Sequence, residues 1–341
     1  MKVAIDSGPL TSGDSVRGIG VYARELLKAL NLEGVDVTRE DLGKYDVVHF
    51  TRFHPFFVSV PWNKPKNTKF ILTIYDLIQL IYPKHYPPGV RGSIKYLINK
   101  YLIKRNIDAI VTISETSKKD ICRFLEVDPK KVFVTYLAPR EIFKPISNTS
   151  ILYKRSLASQ GPGSIEVEYK LPKKFALYVG DINYNKNIPA LISACRQVKI
   201  PLVIGGEQAA QIDKLDLNHA EHKHLKNVDW TDVIRLGFVS DLDLVKIYNL
   251  AAVYVQPSLY EGFGLPAVQA VACGTPLVVA KSQCMVEILG NNLSYCDPND
   301  AKSIAKAISN PNIGKKLSRD YSWGKTAKET YSIYQGVAGL K

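Results

Sequence analysis

The sequence predicts an α/β protein made of two doubly wound parallel sheets, and three observations lead to this class. Short apolar runs alternate with segments of helical periodicity along the whole chain, which is typical of parallel strands joined by crossover helices. The length of 341 residues suits two domains of ordinary size. The hydrophobic content of 46% is typical of a soluble globular protein.

Ten apolar runs are predicted to be strands, five in each half of the chain. The runs in the first half read KVAIDS, DVVHF, KFILTI, AIVTIS and VFVTYL. The runs in the second half read FALYVGD, PLVIGG, RLGFVS, VYVQPS and PLVVA. Each set is expected to form one sheet, with ligand sites at the carboxyl ends of its strands.

The domain boundaries are predicted from changes in composition. The stretch from Pro145 to Lys174 is rich in Ser, Gly and Pro and lacks periodicity, which indicates a linker or an insertion over residues 151–172. An N-terminal domain is therefore predicted over residues 1–150 and a C-terminal domain over 173–317. The last segment, residues 318–341, is predicted to be a helix.

Charge and cysteine usage narrow the class of protein. The formal net charge of +13 permits nucleic acid, an anionic membrane surface or phosphorylated small molecules as partners, but no nucleic-acid-binding motif is recognised. The five cysteines are scattered and lack metal-ligand spacing, which indicates reduced thiols. No apolar run reaches the ~18–20 residues that span a bilayer, and MKVAIDSGPL lacks the apolar core of a secretory signal. A cytoplasmic protein is expected.

The most informative stretch is residues 257–276, PSLYEGFGLPAVQAVACGTP, which follows the predicted strand VYVQ. Pro266 suits the first turn of a helix, and Gly274 suits the end of that helix. A strand that leads through a glycine loop into a helix directs backbone N–H groups at one point, where they can hold an anion. The carboxylate of Glu261 beside that point can accept hydrogen bonds from hydroxyl groups. An anion and a polyol together indicate a nucleotide sugar.

This stretch resembles the signature of glycosyltransferase family 4, the glycosyl transferases of group 1, which are retaining enzymes with the GT-B fold. That signature has two glutamates separated by seven residues, and this chain has Glu261 at the first position and Gln269 at the second. The resemblance implies two Rossmann-like domains facing a cleft, a final helix that crosses back to the first domain, and a nucleotide-diphosphate sugar as donor. An ordinary strand–loop–helix turn, with Glu261 capping the helix, is the alternative interpretation.

The resemblance also assigns the residues of the donor site. Two residues are given catalytic roles: Glu261, expected to contact sugar hydroxyls, and Lys186, expected to hold the diphosphate. The other residues expected to bind the donor are Gly18, Gly20, Gly180, Asp181, Asn185, Val239, Ser258, Gly262, Phe263, Gly264, Leu265 and Gln269. Without the resemblance, Lys186 reads as a solvated surface lysine, and the GIG turn at 18–20 as a plain junction between a loop and a helix.

Three positions depart from the family pattern. Asp181 stands where an Arg is frequent, and Gln269 replaces the Glu that binds the ribose, so ribose binding is expected to weaken by about 1–2 kcal/mol. On the acceptor side, Tyr75 precedes Asp76 where many relatives have His, and tyrosine does not titrate near neutral pH. Tyr75 is equally well interpreted as an aromatic core residue at a strand end. His54 is a further candidate for a polar role on the acceptor side.

A basic helix is predicted before the fourth strand, because no acidic residue occurs from Leu77 to Ile107. The basic residues of this stretch are Lys84, Arg91, Lys95, Lys100, Lys104 and Arg105. Apolar residues at helical spacing are predicted to form the opposite face: Ile94, Leu97, Ile98, Tyr101 and Leu102. Either this apolar face packs on the core and the basic face is solvated, or the helix meets anionic lipid or a lipid-diphosphate acceptor.

The function predicted from the sequence is transfer of a hexose-type sugar, with retention, from a nucleotide-diphosphate donor to a glycan, lipid-linked or other hydroxyl acceptor. Front-face attack is favoured, in which the leaving phosphate takes the acceptor proton. No metal or other cofactor and no nucleic acid are expected, whereas peripheral contact with an anionic membrane is. The alternative is a catalytically weak nucleotide-sugar-binding partner subunit, which the departures at Tyr75, Asp181 and Gln269 allow.

Overall fold

The computed structural model describes residues 1–11, 13, 18–32, 34, 41–146, 165–291, 293–313 and 317–339. The chain divides into two compact units. Unit 1 comprises Met1–Ala138 and Tyr321–Lys341, and unit 2 comprises Pro139–Asp320. Most of the predicted linker, residues 151–164, lies outside the described residues.

The described residues contain short strands and helices that alternate along the chain. The strands are β1 Val3–Ile5, β2 Val47–Phe50, β3 Lys69–Thr73, β4 Ala109–Thr112, β5 Val132–Val134, β6 Ala176–Val179, β7 Leu202–Gly205, β8 Val233–Gly237, β9 Val253–Gln256, β10 Pro276–Ala280, β11 Ser294–Cys296 and β12 Asn312–Ile313. The helices are α1 Gly8–Thr11, α2 Gly18–Leu30, α3 Ile78–Ile81, α4 Gly89–Asn106, α5 Glu115–Leu125, α6 Ile165–Glu168, α7 Ile188–Gln197, α8 Glu207–Ala210, α9 Asp241–Leu250, α10 Leu265–Ala272, α11 Gln283–Leu289, α12 Ala301–Ser309 and α13 Trp323–Ala338.

Unit 1 contains a parallel sheet whose five described strands lie in the order β1-β2-β3-β4-β5. All five strands predicted for the first half of the chain are confirmed. The final helix, α13, packs against α2 and β4, so the predicted return of the last helix to the first domain is also confirmed.

Unit 2 contains a second, mainly parallel sheet in the order β11-β10-β9-β6-β7-β8. The order reverses beside β6, as in a doubly wound sheet, and the five predicted strands β6–β10 are confirmed. Two strands were not predicted: β11 at one edge, and β12, which pairs antiparallel with β10. Their sequences, SYC and NI, are not part of an apolar run, so no strand signal marks them.

The core of unit 1 encloses a chain of polar side chains. His49 on β2 is fully buried, its Nδ1 lies 2.7 Å from the Tyr334 hydroxyl on α13, and its Nε2 lies 2.7 Å from Thr73 Oγ1 on β3. Thr73 Oγ1 in turn lies 3.3 Å from the Tyr22 hydroxyl on α2. Since an unsatisfied buried polar group is costly, these four side chains fix α2 and α13 against the sheet.

The buried His49 is expected to make stability depend on pH. Burial lowers the pKa of His49 from 6.5 to about 3. Between these two pH values, the imidazole is protonated in the unfolded chain and neutral in the folded chain. This effect leaves the free energy of unfolding unchanged above about pH 6.5. Below that pH, the free energy of unfolding falls by up to about 1.4 kcal/mol per pH unit as the pH drops toward the folded pKa. Urea unfolding from neutral to mildly acidic pH should therefore show a shallower loss of stability in His49→Gln than in the wild type. The exposed His219→Gln is the control, and a His49→Gln slope equal to that of the wild type would refute this account.

The basic helix is confirmed as α4, and the first alternative, packing of its apolar face on the core, holds for only part of that face. Leu102 is fully buried, whereas Ile94, Leu97 and Tyr101 are each more than half exposed. The core-facing side of α4 instead includes two buried asparagines, Asn99 and Asn106, which hydrogen-bond to carbonyl groups of the loop at residues 54–62. Periodicity alone cannot reveal this arrangement, because asparagine counts as polar in any apolar pattern.

Two further observations concern the whole described chain. None of the helices in the described ranges combines the length and the apolar character that a membrane span requires. The five cysteines are free thiols, and four of them are buried.

Candidate active site

Glycines mark the carboxyl ends of three adjacent strands in unit 2. Gly180, Gly206 and Gly237 follow or end β6, β7 and β8, and all three have positive φ. The Gly180 amide donates to Gly205 O and the Gly206 amide donates to Gly237 O, both at 2.9 Å. A Cβ on Gly206 would lie closer than 3.0 Å to the carbonyl oxygen of Gly180. Only Gly180 was singled out from the sequence, although a glycine after each of three strands was a signal for the others.

The two residues predicted to be catalytic lie together at this edge. Lys186 ends a short 3-10 turn over Tyr184–Lys186, and Glu261 lies in the loop between β9 and α10. Lys186 Nζ is 2.8 Å from Glu261 Oε1 and 2.9 Å from Oε2. The lysine side chain is 22% exposed and the glutamate side chain 7%. A nearly buried carboxylate therefore holds a cation that solvent can still reach.

Two asparagines hold the loop on either side of Lys186. The Asn185 side chain donates to Tyr260 O at 3.0 Å, and its backbone oxygen accepts from the Leu259 amide at 2.7 Å. Asn187 adopts the left-handed conformation, with φ of 57°, and donates to Pro257 O at 3.2 Å. Asparagine tolerates this conformation better than most residues. The loop after β6 is thus tied to the loop after β9, and this fixes the position of Lys186.

The glycine loop enters α10 as the sequence predicts. Gly264 caps the helix with φ of +84°, and Pro266 occupies its first turn. The Phe263 side chain is buried, so only the backbone of this residue can meet a ligand. Ser258 Oγ is buried and forms no hydrogen bond with any residue in the described part of the chain. A buried hydroxyl in this state is suited to a polar ligand group.

Gln269 lies one turn further along α10 and is also buried. Its Oε1 is 3.4 Å from the hydroxyl of Tyr248, which also lies 3.1 Å from Pro266 O. Tyr248 is a fully buried residue of α9, and no pattern in the sequence indicated it. The side-chain amide of Gln269, which replaces the glutamate of the family pattern, is therefore already in contact with another side chain of the protein.

Of the four remaining predicted residues of unit 2, Gly262 lies in the loop before α10, Leu265 is the first residue of that helix, and the other two border the same strand ends. Asp181 is half-buried, and its backbone oxygen accepts a hydrogen bond from the Tyr178 hydroxyl at 2.6 Å. Val239 is half-buried and precedes Ser240, the N-cap of α9.

The Glu261 carboxylate affects the pKa values of two buried tyrosines in unit 2. Burial raises the pKa of Tyr254 well above its usual value of 10, and the Glu261 carboxylate raises it further. Burial is also the largest cause of the raised pKa of Tyr178, followed by the neighbouring Tyr254 and Glu261. Asp181 adds to the effect on Tyr178, and both tyrosine hydroxyls stay protonated.

The other predicted residues belong to unit 1. Gly18 and Gly20 open α2, and the preceding residues 14–17 lie outside the described part of the chain. Tyr75 is half-buried, donates to Thr51 O at 2.8 Å and packs edge-on against the buried Tyr22 ring. Asp76 Oδ1 accepts from the Ile78 amide at 3.2 Å, just before α3.

His54 is half-buried in the loop beside α4. Its Nδ1 accepts from the Phe56 amide at 3.1 Å, and burial lowers its pKa. Both effects favour the neutral imidazole. In the described ranges, no group of three or more His, Cys, Asp or Glu side chains is arranged to hold a metal ion.

Two protein-family profiles match most of the chain. Residues 39–138 match Glycosyltransferase Family 4, and residues 165–327 match Glycosyl transferases group 1. The two matches fall on unit 1 and, for the most part, on unit 2.

Curated relatives carry similar names. The chain is 28% identical over 289 residues to the serotype-specific mannosyltransferase WbdA of Escherichia coli, with 79% of this chain and 33% of WbdA covered. It therefore spans about a third of that relative. It is 26% identical to O-antigen chain mannosyltransferase B of E. coli, with 78% of this chain and 70% of the relative covered. The uncharacterized glycosyltransferase MJ1607 of Methanocaldococcus jannaschii is 28% identical, with 92% and 79% covered.

Solved structures of low sequence identity share the fold. A glycosyltransferase from Rickettsia africae matches with a TM-score of 0.62 and 14% identity, over 99% of this chain and 98% of the other. HepE from Anabaena, solved in complex with UDP and glucose, matches with a TM-score of 0.62 and 15% identity, over 100% and 97%. The fold is the GT-B fold. Together with the two profile matches, this shows that the chain belongs to the group 1 glycosyl transferases, glycosyltransferase family 4.

Proposed function

We propose that this protein is a retaining glycosyltransferase that moves a hexose-type sugar from a nucleotide-diphosphate donor to a hydroxyl acceptor. The observation that carries the proposal is the Lys186–Glu261 pair at the carboxyl edge of the unit 2 sheet. It combines a cation for the diphosphate and a carboxylate for sugar hydroxyls, beside the glycine loop that begins α10.

Breaking the bond between the anomeric carbon and the diphosphate leaves negative charge on the phosphate and positive charge on the sugar. Lys186 can stabilise the first, and the amides from Gly262 to Leu265 face the same charge in this proposal. Glu261 accepts hydrogen bonds from the sugar. The leaving phosphate takes the proton of the attacking hydroxyl on the same face, so the protein supplies positioning and electrostatics. The donor has to draw Lys186 toward its phosphates against the attraction of Glu261.

The names of the relatives suggest the sugar and the acceptor. WbdA and O-antigen chain mannosyltransferase B are mannosyltransferases by name, so we assign a mannosyl donor and a glycan or lipid-linked glycan acceptor to this chain. The proposed location is the cytoplasm, with peripheral contact to a membrane surface.

The test is a binding and turnover screen of UDP-, GDP- and ADP-linked mannose and glucose. One nucleotide is expected to raise the melting midpoint, since a ligand at ~100-fold its Kd stabilises the folded state by about 2.7 kcal/mol. Proton NMR of the same sample should show donor turnover, with the product anomer the same as that of the donor. An inverted anomer would exclude the retaining mechanism, and no binding of any donor would contradict the transferase assignment.

One observation supports the alternative of a weakly active partner subunit. Gln269 carries no charge, and its carbonyl oxygen already lies near the Tyr248 hydroxyl. The two functions are separated by the same screen, because a partner subunit binds a donor without turning it over.

A further inference from the structure

Exposed apolar side chains gather on one part of unit 1. Seven of the thirteen large apolar residues that are exposed among the described residues belong to the loop at 54–62 or to α4, with exposed fractions from 43% to 80%. They are Phe57, Val58, Trp62, Val90, Ile94, Leu97 and Tyr101, and we call this set the apolar face. Single exposed apolar residues are ordinary, whereas a cluster marks an interaction site.

The helical part of the apolar face is a straight stripe. Its members on α4 follow one another at intervals of four, three and four residues, so they lie on one side of the helix. From Val90 to Tyr101 the stripe is about 16 Å long at 1.5 Å per residue. The opposite side of α4 holds the buried Asn99, Leu102, Ile103 and Asn106.

Two buried asparagines join the loop to the helix. Asn99 Nδ2 donates to Pro55 O at 3.1 Å and to Phe57 O at 2.6 Å, and its Oδ1 accepts from the Ser59 amide at 3.1 Å. Asn106 Nδ2 donates to Pro61 O at 2.7 Å and to Trp62 O at 3.2 Å. The loop residues Phe57 and Trp62 are therefore held beside α4, and loop and helix form one surface.

Positive charge surrounds this surface. Five lysines and arginines belong to α4 itself: Arg91, Lys95, Lys100, Lys104 and Arg105. Arg91 is exposed beside the stripe, and Lys95 Nζ lies 5.2 Å from the centroid of the Phe57 ring. The C-terminal end of α4 is less positive than its sequence suggests, because Glu126 forms ion pairs with Lys100 at 2.6 Å and Lys104 at 3.1 Å. With Glu126 subtracted from the three cations of the C-terminal half of α4, each half of the helix keeps a net charge of about +2, so the whole helix is basic.

We propose that the apolar face and its flanking cations dock unit 1 onto the surface of an anionic lipid bilayer. The aromatic residues Phe57, Trp62 and Tyr101 enter the boundary between headgroups and acyl chains, where amphipathic rings are favoured. Arg91 and Lys95 contact the anionic headgroups, which attract basic residues at the surface. The inference deepens the peripheral location proposed above, and its test uses no nucleotide sugar.

A bilayer fits these observations better than a protein partner. Interfaces between proteins are depleted of lysine, whereas here Lys95 borders the apolar face and contacts the ring of Phe57. No carboxylate occurs in α4 or in the loop at 54–62, so nothing in these two segments repels an anionic surface.

The experiment is sedimentation of the full chain with phosphatidylcholine vesicles, with and without phosphatidylglycerol. The protein should bind only the anionic vesicles, and less tightly at high salt. Arg91→Glu/Lys95→Glu should weaken binding at least about 30-fold, since each cation near the surface contributes about 1 kcal/mol and 1.4 kcal/mol corresponds to tenfold. Trp62 should show a blue shift in its fluorescence on binding, and Trp62→Phe should abolish that shift.

Matched controls separate docking from general effects. Lys302→Glu/Lys306→Glu makes the same change in net charge at the same spacing on α12 and should bind like the wild type. Leu97→Glu should abolish binding, whereas Leu242→Glu, at a similarly exposed leucine in unit 2, should not. Equal binding to neutral vesicles, or unchanged binding by the Arg91/Lys95 variant, would overturn the proposal. So would a dimer in solution that Leu97→Glu dissociates, because the apolar face would then be covered by a second copy.

Discussion

Lys186→Met is expected to lower kcat/KM for the nucleotide sugar by about 10²–10³-fold, the usual loss when one group that stabilises developing charge is removed. Methionine keeps the length of the side chain but not its charge. The loss should exceed that of a missing contact, because the Glu261 carboxylate would then face the diphosphate without the cation that it now contacts at 2.8 and 2.9 Å. Initial rates at several donor concentrations measure the effect.

A double substitution tests this account of the charges. Lys186→Met/Glu261→Gln removes both charges, so it should bind the donor nucleotide more tightly than Lys186→Met alone. It should also be more stable, because leaving one partner of a largely buried ion pair alone costs roughly 2 kcal/mol or more. Lys246→Met, which breaks an exposed pair with Asp243, is the control and should cost less than about 1 kcal/mol. Strict additivity of the two single substitutions would show that the pair is not coupled.

Gly206→Ala is expected to have the largest effect on stability, about 3 kcal/mol. Its Cβ would push against the backbone carbonyl of Gly180, which cannot turn away as a side chain can, and its φ of +157° is unfavourable for alanine. For unfolding of unit 2 alone, Pro139–Asp320, such a loss corresponds to a fall of roughly 6–12 °C in the melting midpoint. Because Gly180 begins the loop that holds Lys186, donor binding should weaken as well.

The neighbouring glycine is the control for this experiment. A Cβ on Gly205 would meet Val179 Cγ2 at 3.7 Å and Tyr178 O at 3.9 Å, which are ordinary contacts. Gly205→Ala should therefore melt within a few degrees of the wild type. If the two variants melted at the same temperature, the short distance to the Gly180 carbonyl could not explain why residue 206 is a glycine.

The fold could be predicted from the sequence because its signal is local. Each of the ten predicted strands is a short apolar run, and helical segments separate them, so alternation alone gives two parallel sheets. The order of the strands within each sheet could not be predicted. The placement of β9 beside β6 joins segments far apart in sequence, and no periodicity reports it.

Only those residues of the candidate site that belong to a recognisable sequence motif could be predicted. Glu261 and Lys186 were identified from their segments, and the structure brings them into contact. The residues that hold them were less visible. Asn187 fixes the loop through a left-handed conformation and a contact to Pro257, and Tyr248 reaches Gln269 from another helix. Such partners depend on packing between distant segments.

The exposure of α4 shows a further limit. Ile94, Leu97 and Tyr101 have the spacing of a core-facing stripe, yet they are exposed, because Asn99 and Asn106 occupy the inner side of the helix. An apolar stripe that meets the core and one that meets a partner have the same period.

The hydrogen bond between the His49 and Tyr334 side chains joins residues that are 285 positions apart in the sequence. Unit 1 is assembled from both ends of the chain, whereas unit 2 is one continuous stretch, Pro139–Asp320. On the ribosome, unit 2 therefore has all its residues before unit 1 does. Until α13 has been synthesised, His49 lacks its Tyr334 partner, so the second unit is complete in sequence before the first. A nascent chain released before α13 emerges would consist of a completed second unit and an unfinished first one.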